Sequence, residues 1–545
     1  VIVADAVAGT LARLGVDQVF GLVGSSNFLL TNALVEHGAR FVSSRHEAAA
    51  VSMADAFRRV GDRLPVVSLH HGNGLTNAMT PLTEAVKSNT PMLVLVPEAR
   101  RAGADLSFWV DQKALVLAIG AEFHEITSPG NAVRETARAY RRAAEDGATV
   151  VLNLPLGVLD APAVDAPFDP PSAVHAPAPA PEAADRLAEL LLHAERPVFI
   201  GGRGARASGA ILRELAAATG ALLATSVAAR GLFAGDDWDL DVSGGFSTPE
   251  TAALLADADL LVAWGAGLNV WTSRHGQIFG EGATVVQIDT DAAALGRQPR
   301  VDVRVQAEVG ETARAVQARL GGASRIGYRT PEVAARIAAG SHWADVPYDD
   351  RGGEGTIDPR TLTRLLDDML PAERVVCTDI GNHSSYPMLF FRVPDAQGLC
   401  APIGFVSVGL GLASAIGAAV ARPDRQVVAG IGDGGLLMSA SELETVVRER
   451  IPLLVIVYDD HAYGAEVLQF APHGHPVATV EFPDADLAAA ARGFGWHAIT
   501  VRSPEDLAPV EAWLAGPRER PMLVDAKIAA FSSWVAEHMA AIYGH

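Results

Sequence analysis

Gln426-Val427-Val428-Ala429-Gly430-Ile431-Gly432-Asp433-Gly434-Gly435 is the stretch whose reading decides the fold. Its short apolar run stops abruptly at glycines, the pattern of a strand buried on both faces of a parallel sheet. A helical segment follows through Ser441-Glu442-Leu443-Glu444, and a second apolar run, Pro452 to Tyr458, ends in Asp459-Asp460-His461-Ala462-Tyr463. Strand, crossover helix and strand deliver both acidic loops to one edge of the sheet, where parallel α/β folds bind their ligands. Glycines let backbone N–H groups approach phosphate oxygens closely. The carboxylates of Asp433 and Asp460 can hold a hard divalent cation that neutralises those phosphates. A diphosphate held through Mg²⁺ is the chemistry this spacing suggests, although Gly432-Asp433-Gly434 taken alone is equally a tight turn.

The same alternation of apolar runs and helix-period segments fills the rest of the chain. Gln18 to Gly21, Pro65 to Leu69 and Met92 to Val96 read as strands in the first third, with a helix over Glu47 to Arg59 between them. Pro197 to Ile200, Leu260 to Trp264 and Thr284 to Ile288 do so in the middle third, and Val375 to Ile380 joins the two strands above in the last. A run rich in Ala, Pro and Asp from Asp160 to Pro181 reads as an extended linker, and a second composition shift runs from Tyr328 to Asp358. The expected architecture is α/β, with three doubly wound parallel-sheet domains over residues 1–160, 182–325 and 356–545.

Composition narrows the function classes. The chain has 545 residues, with 43 Lys and Arg against 64 Asp and Glu, a net charge of −21. An acidic chain without a basic face is a poor partner for nucleic acid. No run approaches the length of a membrane span, and the segment from Val1 has neither the basic flank nor the apolar run of a secretory leader, so the cytoplasm is the expected location. Two cysteines, Cys377 and Cys400, make no disulfide framework or zinc site and are expected in the core.

Gly432-Asp433-Gly434, about 25 residues and then a polar doublet resembles the signature of thiamine-diphosphate (ThDP) enzymes. The resemblance spans almost the whole chain and is to the acetolactate synthase and benzoylformate decarboxylase branch. It implies that Asp433, Asp460 and the Ala462 carbonyl bind Mg²⁺, and that Gly432, Gly434, Gly435 and Tyr463 surround the diphosphate. The family usually has Asn-Asn where this chain has Asp459-Asp460, and the additional carboxylate is expected to strengthen cation binding while adding repulsion towards the diphosphate, so that it needs the metal to be present. Arg45-His46-Glu47-Ala48-Ala49-Ala50 is similar to the segment that carries the activating glutamate, which makes Glu47 the carboxylate beside the pyrimidine. Ala401 to Gly411 resembles the segment beneath the bent cofactor, with Val408 as the wedge between the rings and the Val406 carbonyl binding the pyrimidine. Gly381-Asn382-His383 is similar to the Gly-Gln-His stretch that contacts the diphosphate.

The same resemblance implies a reaction: a carbanion at the cofactor's C2 adds to a carbonyl, and the cofactor then takes up electrons as the adjacent C–C bond breaks. The substrate is expected to be a 2-oxo acid. Decarboxylation would be followed by protonation of the enamine or by acetolactate synthase-like carboligation. His70-His71-Gly72-Asn73-Gly74 follows a strand, and the decarboxylase pattern has a His at the place of His70. Imidazoles suit proton transfer near neutrality, and His70 and His71 are both candidates. Gly24-Ser25-Ser26-Asn27 resembles the turn that presents a serine to a substrate carboxylate, with Ser25 and Ser26 both open. Glu466, close after the metal loop, is a candidate proton shuttle whose apolar neighbours Ala465, Val467 and Leu468 argue against a solvated helix face. Alternatives are a 2-hydroxyacyl-CoA lyase and a catalytically inactive ThDP-fold binding subunit. Gly201 to Gly209 and Ile288-Asp289-Thr290-Asp291 leave FAD or ADP possible in the middle domain. FAD is not favoured, because Gly267 to His275 lacks the Arg-Phe-Asp-Asp-Arg-like segment of flavin-binding synthases. In relatives the activating glutamate and the diphosphate site meet across a subunit boundary, so a homodimer is the minimum assembly and a homotetramer the expectation.

Overall fold

Short runs of Val, Ile and Leu without polar alternation bury both faces of a strand, and such strands must lie in parallel sheets covered by helices. The computed structural model, which describes residues 1–99, 107–164, 177–298 and 300–531, has three sheets of this kind. The first comprises Gln18–Gly21 (β1), Arg40–Ser43 (β2), Val66–Ser68 (β3), Met92–Glu98 (β4), Glu122–Glu125 (β5) and Thr149–Pro155 (β6), in the order β2-β1-β3-β4-β6-β5. The second comprises Pro197–Gly201 (β7), Leu222–Thr225 (β8), Asp239–Val242 (β9), Leu260–Trp264 (β10), Thr284–Asp289 (β11) and Val303–Gln306 (β12), in the order β12-β11-β10-β7-β8-β9. The third comprises Arg374–Thr378 (β13), Leu399–Cys400 (β14), Gln426–Gly432 (β15), Leu454–Asp459 (β16), His497–Val501 (β17) and Met522–Lys527 (β18), in the order β14-β13-β15-β16-β18-β17. The paired strands β13, β15 and β16 are parallel and in register, with Thr378 opposite Gly430 and Gly432 opposite Tyr458. The fold is therefore the triple parallel α/β arrangement expected from the sequence.

Two stretches behave differently from their composition. Tyr328 to Asp358, read as a boundary, contains the helix Pro331–Gly340, capped by the Thr330 hydroxyl. Its Val333 and Ile337, with Tyr328, are buried in the core of the second sheet. Of the Ala- and Pro-rich linker, residues 165–176 lie outside the described residues, and Pro181 already opens the helix Pro181–His193 as its first residue. Cys377 and Cys400 are buried and face each other in register on β13 and β14.

The first and third sheets share one core. The helix Glu47–Val60 packs along the helix Gly411–Ala421, and small side chains on both, among them Ala50, Ala54, Ala413 and Ala418, let the axes come close. Gly417 marks the tightest point, because a Cβ there would lie 2.0 Å from the Met53 carbonyl oxygen. Beside this crossing Arg59 forms ion pairs with Asp55 at 2.7 Å and Glu84 at 2.6 Å, and donates to the Ala401 carbonyl at 2.7 Å. All three charged side chains are buried. Burial raises the Asp55 carboxyl above its ordinary range despite Arg59. Glu84 is held below its range, since the Arg59 charge and hydrogen bonds from the Phe405 amide and Ser88 outweigh burial.

Removing the cation from such a cluster leaves two uncompensated buried anions. Arg59→Met is therefore expected to destabilise the protein by about 3–5 kcal/mol in urea unfolding. A loss under about 1 kcal/mol, typical of a surface change, would contradict this role.

Candidate functional site

The order of the third sheet brings the loops after β13, β15 and β16 to one edge. Asp433 is buried at the start of the helix Asp433–Ser439. Burial, reinforced by the charges of Asp459 and Asp460, pushes its carboxyl up to about 7. Asp460 is raised to about 6, chiefly by burial. The loop closes tightly around these groups: a Cβ on Gly464 would lie 2.2 Å from an Asp460 oxygen, and one on Gly434 would lie 2.8 Å from the Tyr463 ring. His461, between Asp460 and Ala462, has φ of +57°, a left-handed conformation uncommon outside glycine. Hydrogen bonds hold the turn, from the Phe482 amide to the His461 carbonyl at 2.8 Å and from the Tyr463 amide to the Val480 carbonyl at 2.9 Å.

The Asp459 carboxylate is not a free anion: it is bound to Lys527, its in-register neighbour on β18, and to the ring of His461 at 2.9 Å. Asp459, His461 and Asp484 bring ligand atoms close enough for a metal. The Lys527 ammonium group already contacts both carboxylates of that set, so its charge is met from within the chain.

Gly381, Asn382 and His383 follow β13 on the same edge. His383 is buried, its Nε2 has no hydrogen-bond partner, and burial lowers its imidazole to about 3. It is a neutral ring whose Nδ1 lies 3.0 Å from where a Gly432 Cβ would stand. Asn382 donates to the Phe531 carbonyl at 3.1 Å.

Asp379, which the sequence reading overlooked, ends this strand region. Its buried carboxylate accepts from the amides of Ile380 at 2.9 Å and Gly409 at 2.9 and 3.1 Å, and burial raises it to about 6. The only sequence signal was an acid at the carboxyl end of a buried strand.

The segment Ala401 to Gly411 is thus tied at Gly409 to Asp379. It is tied at Gly404 and Phe405 to Glu84, whose carboxylate accepts from their amides at 3.1 and 2.5 Å. Between these anchors Val406 sits at φ of +61°, a costly conformation for a branched residue, on the order of 1–3 kcal/mol. Val408 is 39% exposed and Val406 41%, so neither is ordinary core.

At the carboxyl edge of the first sheet, Glu47 opens its helix and is 7% exposed. Its Oε2 accepts from Asn77 Nδ2 at 3.0 Å. A Cβ on Gly74 would lie 3.4 Å from Glu47 Oε1 and 3.0 Å from the Cβ of His70, so both side chains border one glycine. His70 and His71 stack with ring centroids 4.3 Å apart, and Phe108 packs edge-on against both. His70 Nδ1 lies 2.8 Å from the His71 carbonyl and 3.1 Å from Asn73 Oδ1. Burial and the neighbouring His70 lower the His71 imidazole, whose Nδ1 has no partner. The Gly24 turn meets this pair directly: a Cβ on Gly24 would lie 2.3 Å from His70 Cδ2. Ser26 is buried and its hydroxyl accepts from the His71 amide at 3.3 Å, whereas Ser25 is exposed.

Glu442 also escaped the sequence reading. This buried carboxylate on the helix Glu442–Arg448 accepts from the amides of Arg45 at 2.9 Å and His46 at 3.1 Å, and so clamps the backbone just before Glu47. Glu466 differs from expectation in setting, since no residue of its helix Gly464–Phe470 is buried and Glu466 itself is exposed.

In the second sheet the Gly-rich turn after β7 packs against the loop after β10. The Gly204 amide donates to the Gly265 carbonyl at 3.1 Å, and a Gly202 Cβ would lie 2.1 Å from that oxygen. Close packing of two loops therefore accounts for these glycines. A cavity of about 370 Å³ lies nearby, lined by Asn269, His275, Gln287 and Arg297 among others.

Comparison with known proteins agrees with this geometry. Residues 2–115 match the thiamine pyrophosphate enzyme N-terminal TPP-binding domain, residues 184–316 the central domain and residues 379–526 the C-terminal TPP-binding domain. The chain is 30% identical to a sulfoacetaldehyde acetyltransferase of Rhodobacter capsulatus, over 85% of this chain and 82% of that protein. It is 30% identical to a protein of Pseudomonas aeruginosa described as a probable 2-ketoarginine decarboxylase, over 93% and 90%. It is 28% identical to the acetolactate synthase large subunit of Parasynechococcus marenigrum, over 92% and 84%. Three matching domains in sequence order, and relatives that align over most of both chains, mean that this protein belongs to the thiamine-diphosphate-dependent enzymes.

Proposed function

We propose that this chain is a ThDP- and Mg²⁺-dependent enzyme that breaks the bond between the carboxyl and carbonyl carbons of a 2-oxo acid. The resulting acyl unit is protonated or passed to a second carbonyl compound. The observation that carries this reading is the shared wall at Gly74, where a buried glutamate and a histidine pair lie side by side.

The residues fit the cofactor. Asp433 and Asp460 are hard oxygen donors crowded at one edge, and with the Ala462 carbonyl they would hold Mg²⁺. Glycines at 432, 434 and 435 let the loop pack closely on its own neighbours, at 435 with a Cβ position only 2.3 Å from an Asp379 oxygen, and backbone N–H groups in such a loop can approach phosphate oxygens. The unpartnered His383 Nε2 is the kind of buried polar atom that a bound ligand satisfies. When bound, the cofactor supplies a nucleophilic carbon and an electron sink for cleavage next to a carbonyl.

The side chains do the rest. Glu47 would hold its carboxyl group beside the pyrimidine, where sharing a proton would favour the basic tautomer. Val406 is left-handed, and the anchors at Asp379 and Glu84 hold the segment on either side of it; the Val406 carbonyl and Val408 would bind and wedge the cofactor rings. His70 and His71 move protons at the substrate oxygen, and Ser26, with Ser25 nearby, binds its carboxylate. Glu466 serves as a proton shuttle only when another surface covers its helix.

Apolar side chains left open at both edges, including Phe28, Leu29 and Phe108 on one and Leu437, Met438 and Phe470 on the other, support a second copy covering them. A homodimer is the minimum unit in this reading and a homotetramer its fuller form. Among the described residues no helix is long and apolar enough to cross a membrane.

Acyl transfer is the second reading, favoured by similarity to proteins named for sulfoacetaldehyde and acetyl transfer. Incubation with a panel of 2-oxo acids, sulfoacetaldehyde and 2-hydroxyacyl-CoAs separates the possibilities. Release of CO₂ from a 2-oxo acid supports the proposal. Turnover of sulfoacetaldehyde or a CoA ester alone overturns it, and no turnover at all leaves a binding subunit.

Glu47→Gln should lower turnover by about 100-fold or more while ThDP still binds in a calorimetric titration. Full activity in that variant would remove Glu47 from its role. Asp433→Ala should abolish Mg²⁺-dependent ThDP binding in the same titration.

The raised carboxyls also set a pH dependence. Asp433 and Asp460, at about 7 and about 6, stand above the unfolded value of roughly 4, so between these limits the folded metal-free chain binds more protons than the unfolded one. Their contribution to stability accordingly falls as pH rises through this window, and a bound cation relieves the loss. The rise in melting temperature on adding Mg²⁺ and ThDP should be larger at about pH 8 than at about pH 6. An equal rise at both would exclude these two groups as ligands.

A further inference from the structure

We propose that Lys527 is a positioning residue for the metal loop: its ammonium group cancels the Asp459 carboxylate, so that Asp460 and the Ala462 carbonyl are free to face the cation. This inference rests on the metal role proposed above.

Asp459 and Lys527 are both 2% exposed and stand opposite each other on β16 and β18. The Lys527 Nζ lies 2.5 Å from Asp459 Oδ2, 2.8 Å from Asp484 Oδ1 and 3.2 Å from Asp525 Oδ2, and donates to the Ala485 carbonyl at 3.2 Å. The other oxygen of Asp459 accepts from the His461 amide at 3.0 Å and lies 2.9 Å from its ring. One carboxylate therefore joins β18 to the left-handed residue of the metal loop.

A buried carboxylate next to Asp460 and near Asp433 adds negative charge where a diphosphate has to bind. Left unpaired it would be strongly unfavourable. Lys527 turns that charge away from the site and neutralises it. An asparagine at position 459, the usual residue in the family this chain resembles, is neutral and has no such requirement. Toward the metal loop Asp459 and Lys527 thus work as a unit: loss of the lysine harms cation binding only while the aspartate is present, although Asp484 and the buried Asp525 lose their cation in either case.

The test measures Mg²⁺ affinity of the full chain in the presence of ThDP, read from intrinsic tryptophan fluorescence, with circular dichroism as the check on folding. Lys527→Met should weaken Mg²⁺ binding by about 10–100-fold. The double variant Asp459→Asn with Lys527→Met should return to within about threefold of the parent, and Asp459→Asn alone should remain near it. Parent-like binding by Lys527→Met, or a double variant as weak as the single, overturns the inference. Should Lys527→Met fail to fold, the double variant decides: recovery of fold and binding supports the coupling, and failure of both overturns it. A parent that binds no Mg²⁺ with ThDP while Asp433→Ala behaves identically would instead bring down the metal assignment.

Discussion

Three carboxylates, Asp433, Asp459 and Asp460, converge on the ends of two adjacent parallel strands, and their mutual repulsion is the constraint around which this region is built. A sheet that places its loops on one edge concentrates charge there as readily as it concentrates chemistry. The protein relieves the crowding in two directions. Lys527 takes up Asp459 from the neighbouring strand, while the carboxyls of Asp433 and Asp460 stay raised above their ordinary range. The left-handed turn at His461, the close approach of Gly464 to Asp460 and the cross-links from residues 480 and 482 all hold this division in place.

A second region of strain lies in the segment from Ala401 to Gly411. Val406 is forced into a conformation that suits glycine, and it stays there because Asp379 and Glu84 grip the chain on both sides. Glu84 is itself committed to Arg59, so an ion cluster in the shared core of the first and third sheets reaches directly into the segment beneath the proposed coenzyme. Glu442 works in the opposite sense, from the third sheet onto the backbone before Glu47. Packing and chemistry are coupled here through buried carboxylates that accept backbone amides.

What the sequence revealed and what it concealed follow from locality. The strands and the triple parallel architecture were legible because a doubly buried strand needs an uninterrupted apolar run, and β10 matches its expected limits at Leu260 and Trp264. The acidic loops were legible because each lies just after such a strand. The pairing of Asp459 was not legible because its partner is 68 residues away, across a sheet whose strand order no local pattern discloses. Asp379 and Glu442 were overlooked for the same reason, since only tertiary contact distinguishes them from ordinary strand-end and helix acids. The helix at 331–340 was hidden by the polar, Gly-rich composition around it. For Glu466, neighbouring apolar residues pointed to burial, yet its helix is open in the single chain.

The contact between Gly24 and His70 reaches beyond catalysis. With an imagined methyl at 24 only 2.3 Å from the imidazole, a side chain there would have to displace the His70 ring. Any residue larger than glycine at 24 thus carries a rearrangement of His70 with it, which ties the backbone of one turn to the position of a ring on another.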